Sequence, residues 1–554
     1  MVPVIDIARW DLERLVEKSL SDEELENYLL RLKCEVEEIN DDIVSYEATH
    51  DRPDLFSAEG LARALKGLLG IETGLKIFKT SNYRIKLLND GPSYRPYVVG
   101  AVVEGLELDE ESVKQLMNLQ EKLHITYCRN RRKVSIGLYD LNKVVPPIKY
   151  THVEPRAIKF VPLEETEEMY LDEILEKTEK GRIYADLIKE HKTYPLLIDS
   201  KGTVLSMPPI INSEDTKVTV DTKRVFIDAT GIDLETLIKV LNILVTSTVE
   251  RGKNARIGFV EILMKNGVLV TPRLEPEKMI FDPKIVEKLI GLRIENSQIV
   301  ELLEKMRFKA LPCGDKIEVW IPAYRIDIIH PVDIVEDVAM AYGYEELGYE
   351  ISPPTGLGYI APVERFSKRV REIMIGLQFQ EVANYMMSNP IALAKKMRIK
   401  NAKIVQVENP KMEKYTALRN WIIPGLLEVL ASNKHLGFPL RIFEIGDVAI
   451  VDETQETKTR IERRLGVVIY SEEATLTDAM VYVKALFNSL GIDYKVIEHD
   501  HPSFIEGRCG KIIVKNRDIG FLGEIHPEVI VNFNLEAPIA AFELNLTAIL
   551  DLFF

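Results

Sequence analysis

Apolar residues in the first part of the chain recur at helical spacing, and this pattern predicts a compact α/β domain over residues 1–83. Pro53 requires an extended entry to the last of three helices, and Asp54 or Ser57 can cap that helix. The polar residues just before it are interpreted as a cap with local ion pairs, although a binding loop also fits them. The helical stripes are Leu12, Leu15 and Val16, then Leu25, Tyr28, Leu29 and Leu32, then Leu61, Leu65, Leu68 and Leu69; the polar cluster is His50, Asp51, Arg52 and Asp54.

Residues 84–275 change to a β-rich pattern with interspersed helices, which predicts a mixed α/β domain. Asp228 and Thr230 alternate along the strand VFIDATG, so both side chains point to one face of the sheet. A polar corner that contains Ser213 follows Pro208-Pro209. These features fit a binding site, and they also fit a capped strand-to-helix turn. No nucleophile and base stand at the spacing of a hydrolase triad.

Residues 276–350 predict a small domain in which two helices precede a strand and a further helix, an order typical of a winged helix. The second helix carries Glu301, Glu304 and Lys305 rather than a basic row, so the pattern does not indicate DNA reading. Residues 351–362 predict a linker, and residues 363–554 predict a last large domain of helices and strands. The predicted fold class is therefore α+β multidomain.

Four carboxylates lie within eleven residues after the alternating strand at 317–321, and they are Asp327, Asp333, Glu336 and Asp337. His330 and Pro331 are typical of an N-cap and a first helical position, which places the last three carboxylates on one helix face. The acids could complement the helix dipole and stay solvated, or they could converge on a hard cation such as Mg²⁺. Arg325 could neutralise part of their charge. The spacing leaves both interpretations open.

Length and composition narrow the class of protein. At 554 residues the chain is long enough for roughly three to five domains, and its net charge of −16 argues against a surface that binds nucleic acid everywhere. Four widely separated cysteines favour a reducing compartment over a disulfide framework or a zinc ribbon. The N-terminus lacks a signal-peptide core, and no apolar run reaches the roughly 18 residues of a membrane span. We expect a cytoplasmic protein that does not enter a membrane.

Five sequence blocks in order resemble the β subunit family of phenylalanyl-tRNA synthetase, in its shorter archaeal and eukaryotic form. The resemblance spans nearly the whole chain, and the inserted oligonucleotide-binding domain and final anticodon-binding domain of the bacterial form have no counterpart here. The blocks are THDRPDLFSAEGLARAL, VLSMPPIIN with FIDATGID, IPAYRIDIIHPVDIVEDVAMAYGYEEL, ENPKMEKYTALRNWIIPGLLEVLASN, and RIFEIGDV with FLGEIHPEVI.

The resemblance implies that residues 363–554 are a class II synthetase fold that has lost its chemistry. LQFQEVANYMMSNP resembles the interface motif of that class, with Pro390 as its proline. The stretch from Arg441 to Glu444 lacks the usual F-R-x-E order, and APIAAFELNLTAIL has no arginine for the γ-phosphate. Aminoacylation then belongs to an α subunit that binds ATP and phenylalanine and pairs with this chain in an (αβ)₂ assembly on tRNA(Phe). The resemblance also implies Mg²⁺ as cofactor, held by the four carboxylates.

A second implied activity is editing by residues 84–275, which resemble the B3/B4 module. As in other synthetases, an apolar pocket rejects an added hydroxyl only by about 10², so mischarged Tyr-tRNA(Phe) must be hydrolysed at a second site. The resemblance implies that Leu205, Ser213, Asp228 and Thr230 line this site, with Asp228 or Thr230 positioning the water and Ser213 binding the substrate. The alternatives are a stand-alone tRNA deacylase and a non-catalytic tRNA-binding scaffold.

Overall fold

The chain folds into two compact units, Met1–Ile351 and Ser352–Phe554, in a computed structural model. The structure describes residues 2–265, 267–349, 351–352 and 356–553. Both units mix helices and strands, so the coarse prediction of a mixed multidomain protein is confirmed. Within these residues no helix is both long and apolar enough to cross a membrane.

The first part of unit one is a three-stranded antiparallel sheet covered by helices, and the three predicted helical stripes are confirmed. The Ser57 side chain accepts the N–H of Gly60 and caps the third helix, whereas Asp54 pairs with Arg52. The strands are β1 Val4–Ala8, β2 Cys34–Ile39 and β3 Ile43–Ala48, in the order β1-β3-β2; the helices are α1 Arg9–Val16, α2 Asp22–Arg31 and α3 Ala58–Leu68.

The middle of unit one is built on a large mixed sheet, in the order β12-β11-β10-β7-β4-β14-β5-β13-β6 with β15 paired to β14. Its strands are β4 Thr80–Asn89, β5 Tyr97–Glu104, β6 Val134–Asp140, β7 Ile148–Val153, β10 Tyr194–Ile198, β11 Val204–Met207, β12 Ile211–Asn212, β13 Arg224–Gly231, β14 Arg256–Met264 and β15 Gly267–Thr271. A separate pair is β8 Lys159–Phe160 with β9 Met169–Tyr170, and the helices are α4 Glu110–Ile125, α5 Leu171–Lys177, α6 Glu179–Tyr184 and α7 Leu234–Thr248.

This sheet curves strongly, as the contact between side chains of strands near its two ends shows. The hydroxyl of Tyr139 on β6 lies 2.8 Å from the hydroxyl of Ser206 on β11, although many strands separate β6 from β11 in the sheet order. Helix α7 packs against β5 and β13 on the other side and is buried along most of its length, which accounts for its nearly uninterrupted apolar sequence. The curvature encloses a cavity.

The last part of unit one contains a three-stranded sheet in the order β16-β18-β17 and three helices. The structure adds two strands to the predicted order, one before the two helices and one after them that pairs with the predicted strand at 317–321. The helix starting at Pro331 has His330 as its N-cap, as the sequence predicts. The elements are β16 Glu277–Phe281, α8 Lys284–Ile290, α9 Asn296–Lys305, β17 Lys309–Cys313, β18 Lys316–Ile321 and α10 Pro331–Tyr342.

Unit two is organised on a seven-stranded sheet in the order β19-β22-β23-β27-β26-β25-β24, antiparallel except where β19 pairs with β22. Residues 353–355 of the predicted linker lie outside the described residues, and the first helix begins at Pro362. The elements are α11 Pro362–Gly376, β19 Gln380–Glu381, β20 Met387–Ser388, β21 Ala417–Leu418, α12 Ile423–Ser432, β22 Leu440–Val451, β23 Thr459–Tyr470, α13 Leu476–Leu490, β24 Lys495–Glu498, β25 Phe504–Val514, β26 Arg517–Ile525, α14 Pro527–Asn532, β27 Ile539–Asn545 and α15 Leu546–Phe553.

Candidate functional site

The cavity enclosed by the curved sheet has a volume of about 300 Å³ and mixes apolar and polar walls. That volume is at the lower end of the range for small-molecule sites, and it suits an amino-acid side chain better than a nucleotide. The walls come from α4, β6, β11, β13 and the loop after Pro208. The lining residues are Met117, Asn118, Gln120, Glu121, Arg131, Ser135, Ile136, Tyr139, Leu163, Glu164, Lys180, Ser206, Pro208, Pro209, Ile210, Ile211, Asn212 and Asp228.

Asp228 is the buried acid of this cavity. Its Oδ1 lies 2.6 Å from the hydroxyl of Tyr139, which also contacts Ser206. Burial raises the pKa of Asp228 to about 7, because the interior disfavours the charged carboxylate more than the Tyr139 hydroxyl and Arg95 favour it. A carboxyl group with such a pKa can hold or release a proton near neutral pH, which is the property that a general base requires.

Strand register brings this pair together. Asp228 on β13 pairs with Gly137 on β6, and Tyr139 stands two residues along the same strand. A Cβ atom at position 137 would lie 1.9 Å from the Tyr139 hydroxyl oxygen and 2.4 Å from Asp228 Oδ1. Only glycine leaves room for this hydrogen bond, so the sequence SIGLYD is adapted to the site.

The rim of the cavity carries charged groups around Glu121. This carboxylate accepts hydrogen bonds from Arg131 at 3.0 Å and from Lys180 at 3.3 Å. The buried His124 ring accepts the N–H of Ile136 at Nε2, so its Nδ1 carries the proton and faces Glu121 at 3.4 Å. Burial lowers the pKa of His124 to about 4, and the ring is neutral at physiological pH. Arg131 also donates to the carbonyl of Ile210 at 2.8 Å, which ties helix α4 to the loop across the cavity.

The structure places one of the four predicted editing residues, Asp228, on the cavity wall. Thr230 lies behind the wall, where its hydroxyl accepts from Arg95 at 3.2 Å and contacts Ser135 at 2.9 Å. The Ser213 hydroxyl caps a turn through the N–H of Asp215.

Leu205 is fully buried in the core, while the next residue, Ser206, faces the cavity. Sequence reasoning did not identify Tyr139 and Ser206. The alternation in SIGLYD could have pointed to Tyr139, which shares a strand face with the residue opposite Asp228.

The four carboxylates of the predicted Mg²⁺ site are not gathered around one point. Asp327 and Asp337 each bind the guanidinium of buried Arg325 through both oxygens, with closest distances of 2.7 and 2.6 Å. Asp333 accepts the backbone N–H groups of the helix start, and Glu336 pairs with Lys33 at 3.0 Å.

The residues therefore do not fit a shared metal ion. Although burial acts to raise it, the guanidinium of Arg325 holds the pKa of Asp327 below its ordinary value. Among residues 2–265, 267–349, 351–352 and 356–553, no three histidine, cysteine, aspartate or glutamate side chains are grouped to bind a metal. A guanidinium group occupies the position that a cation would need between Asp327 and Asp337.

Comparison with known proteins relates these features to three families. Residues 106–250 match the B3/4 domain, residues 279–344 match the tRNA synthetase B5 domain, and residues 352–546 match the phenylalanyl tRNA synthetase beta chain CLM domain. All the lining residues of the candidate cavity lie within the B3/4 match, and the four carboxylates lie within the B5 match. Fold and site together define a subunit of an aminoacyl-tRNA synthetase.

Relatives over the full length specify which synthetase. The chain is 46% identical over 552 residues to the phenylalanine–tRNA ligase beta subunit of Thermofilum pendens, covering 99% of this chain and 98% of that protein. It is 44% identical over 553 residues to the same subunit of Pyrococcus horikoshii, covering 98% and 99%. A crystal structure of an N-terminal fragment of the Pyrococcus horikoshii subunit matches 62% of this chain and 100% of the fragment, with 46% identity and a TM-score of 0.58. The chain belongs to the family of phenylalanine–tRNA ligase β subunits.

Proposed function

We propose that this chain works as the β subunit of a phenylalanine–tRNA ligase in the cytoplasm. It pairs with an α subunit in an (αβ)₂ assembly that attaches phenylalanine to tRNA(Phe) with ATP. The α subunit binds ATP and phenylalanine, because in unit two the stretch from Arg441 to Glu444 lacks the F-R-x-E order and APIAAFELNLTAIL has no arginine for the γ-phosphate. End-to-end similarity to proteins named as β subunits supports this function over a stand-alone deacylase, which would need only the middle of the chain.

The middle of the chain is proposed to hydrolyse mischarged Tyr-tRNA(Phe), and the observation that carries this proposal is buried Asp228. Its ionised carboxylate accepts a proton from the attacking water, whose oxygen forms a bond to the ester carbonyl carbon. The bond from that carbon to the tRNA oxygen then breaks, and the tRNA oxygen leaves as a hydroxyl after taking the proton back from Asp228. The Tyr139 hydroxyl orients the carboxylate by donating to it at 2.6 Å, and Ser206 positions that hydroxyl through the 2.8 Å contact with it. Polar lining groups can bind a tyrosine hydroxyl, whereas a phenylalanine ring would leave them unpaired.

The other predicted editing residues support the cavity from behind. Thr230 acts as a positioning residue, because it bonds to Ser135, which lines the cavity. Ser213 and Leu205 hold the turn and the strand that present the opposite wall, and their predicted contact with substrate stays a prediction.

The test is Tyr-tRNA(Phe) deacylation by the αβ complex with Asp228→Ala. We expect hydrolysis to fall toward the uncatalysed rate while phenylalanine attachment with ATP stays at the parental rate. Undiminished deacylation would contradict the role of Asp228, and a complex that forms no Phe-tRNA with ATP would contradict the synthetase assignment. Thr216→Ala is a matched control, because its hydroxyl is buried in the same domain without a hydrogen-bond partner in the described structure.

A further inference from the structure

A small enclosed cavity, here called the arginine cavity, lies between α3, the turn at Pro53–Leu55 and the segment around Tyr324. Its charged walls are Arg52, Arg63, Arg307 and Arg325 with Asp54. The cavity has a volume of about 10 Å³, which is enough for one water molecule or one monatomic ion. Arg52 and Asp54 belong to the polar cluster for which the sequence also allowed a binding loop.

The walls of the arginine cavity present hydrogen-bond donors that have no acceptor in the described part of the chain. They are Nη1 of Arg52, Nε of Arg307, the hydroxyl of Tyr324 and all three guanidinium nitrogens of Arg63. Each of these side chains is at least nine-tenths buried, with exposures of 2 to 4%. A buried donor without a partner costs about 1–3 kcal/mol, more for a charged group, so this concentration indicates a missing acceptor.

The acceptors near these donors are either engaged or too distant for a hydrogen bond. Both oxygens of Asp54 accept from Arg52 at 2.9 Å. Oε1 of Glu250 forms an ion pair with Arg63 at 3.7 Å from its Nε, which is too far for a hydrogen bond, and in the described structure this oxygen has no hydrogen-bond partner. The Arg63 guanidinium instead stacks 4.1 Å from the centroid of the Tyr324 ring, a contact that fixes its position without using its N–H groups.

The chemistry of the missing group follows from these walls. A water molecule accepts only two hydrogen bonds and must donate two, whereas an anion accepts from every side. The carboxylates that neutralise Arg325 and Arg307, such as Asp327 and Glu72, stand outside the cavity walls. The lining itself carries four guanidinium groups and one carboxylate.

We propose that the arginine cavity binds one small monovalent anion, chloride under cellular conditions. Sulfate and phosphate are excluded because the space holds a single atom-sized particle. The anion joins the turn that carries Arg52 to the segment that carries Tyr324, and so connects the first and last parts of unit one. This role does not depend on the proposed enzymatic function.

The test is thermal unfolding of the full chain in sodium bromide, chloride or gluconate at one ionic strength. We expect the melting temperature to rise saturably with either halide, by about 2–4 °C over gluconate. Tyr324→Phe removes one donor and should require about tenfold more halide for half the effect. Tyr150→Phe is the matched control: it removes a buried hydroxyl that donates to the Arg95 carbonyl at 3.0 Å and does not line the arginine cavity. The control should lose stability but keep the parental halide midpoint.

Crystals of the full chain grown in bromide give a direct answer that needs no variant. An anomalous peak between Arg52, Arg63 and Tyr324 would confirm the proposal. A water molecule there, with melting temperatures equal in halide and gluconate, would overturn it. A halide effect of the same midpoint in Tyr324→Phe would overturn it as well, because it would reflect general salt effects on the protein surface.

Discussion

Replacement of Asp228 by asparagine should change editing and stability in opposite directions as pH rises. The pKa of this buried carboxyl group is raised from 3.8 to about 7, which corresponds to about 4 kcal/mol against ionisation inside the protein. The folded state therefore binds the proton more tightly than the unfolded state. The stability from this group is fully present below pH 3.8 and is lost as the pH rises through about 7.

The activity should follow the other protonation state. Deacylation of Tyr-tRNA(Phe) by the parental αβ complex should rise about tenfold per pH unit below 7 and level off above it, once the spontaneous ester hydrolysis is subtracted. Asp228→Asn should remove this rise. It should also make the chain more stable than the parent at pH 8.5, by at most about 4 kcal/mol, and by about 2 kcal/mol at pH 5, where the unfolded carboxyl group is already ionised. Urea unfolding at the two pH values measures the stability.

Tyr139→Phe sharpens the test, because the Tyr139 hydroxyl favours the ionised carboxylate. Its removal should move the midpoint of the deacylation profile to higher pH. Asp140→Asn is a control on the same strand: Asp140 is buried, accepts from Thr222 at 3.0 Å and does not line the cavity, so the midpoint should stay in place. A midpoint near pH 4, or one that Tyr139→Phe leaves unchanged, would refute the reasoning.

Three further predictions follow from the packing. Gly137→Ala should reduce Tyr-tRNA deacylation about 10²-fold and leave Phe-tRNA formation intact, because its Cβ would lie 1.9 Å from the Tyr139 oxygen; equal loss of both activities would point to misfolding instead. Arg325→Met should lower the free energy of unfolding in urea by about 3–5 kcal/mol, since two buried carboxylates lose their counter-charge; a change below about 1 kcal/mol would contradict this. Removing divalent metal with EDTA should leave the melting temperature of the chain unchanged, and a loss restored by Mg²⁺ would show that the carboxylates do bind metal.

Local sequence pattern predicted the secondary structure of this chain well, because periodicity and capping are properties of neighbouring residues. The stripes at Leu12 and Leu25, the cap at Ser57 and the helix start at Pro331 all recur in the structure. The boundary placed at residue 83 shows the limit of the method, since β4 runs from Thr80 to Asn89 across it. Strand pairing decides where this sheet begins, and pairing is a long-range property.

The candidate cavity was only partly predictable for the same reason. Asp228 could be identified from its alternating strand and from the family resemblance, but its partners could not. Tyr139 lies 89 residues away from Asp228, and Ser206 lies 67 residues away from Tyr139. They meet because the sheet curves until β11 faces β6, and no local pattern records that curvature.

The acidic segment shows why a cluster of carboxylates is a weak predictor of a cation site. Four acids in eleven residues need a counter-charge, and the sequence alone cannot say whether it is a metal or a side chain. Here Arg325 lies two residues from Asp327, while Lys33 reaches Glu336 from 303 residues away. Once these pairs form, the four carboxylates do not converge on a point where one ion could contact all of them. The unpaired donors of this region then belong to Arg52, Arg63, Arg307 and Tyr324 around the arginine cavity, and the ligand that we propose for them is an anion rather than a cation.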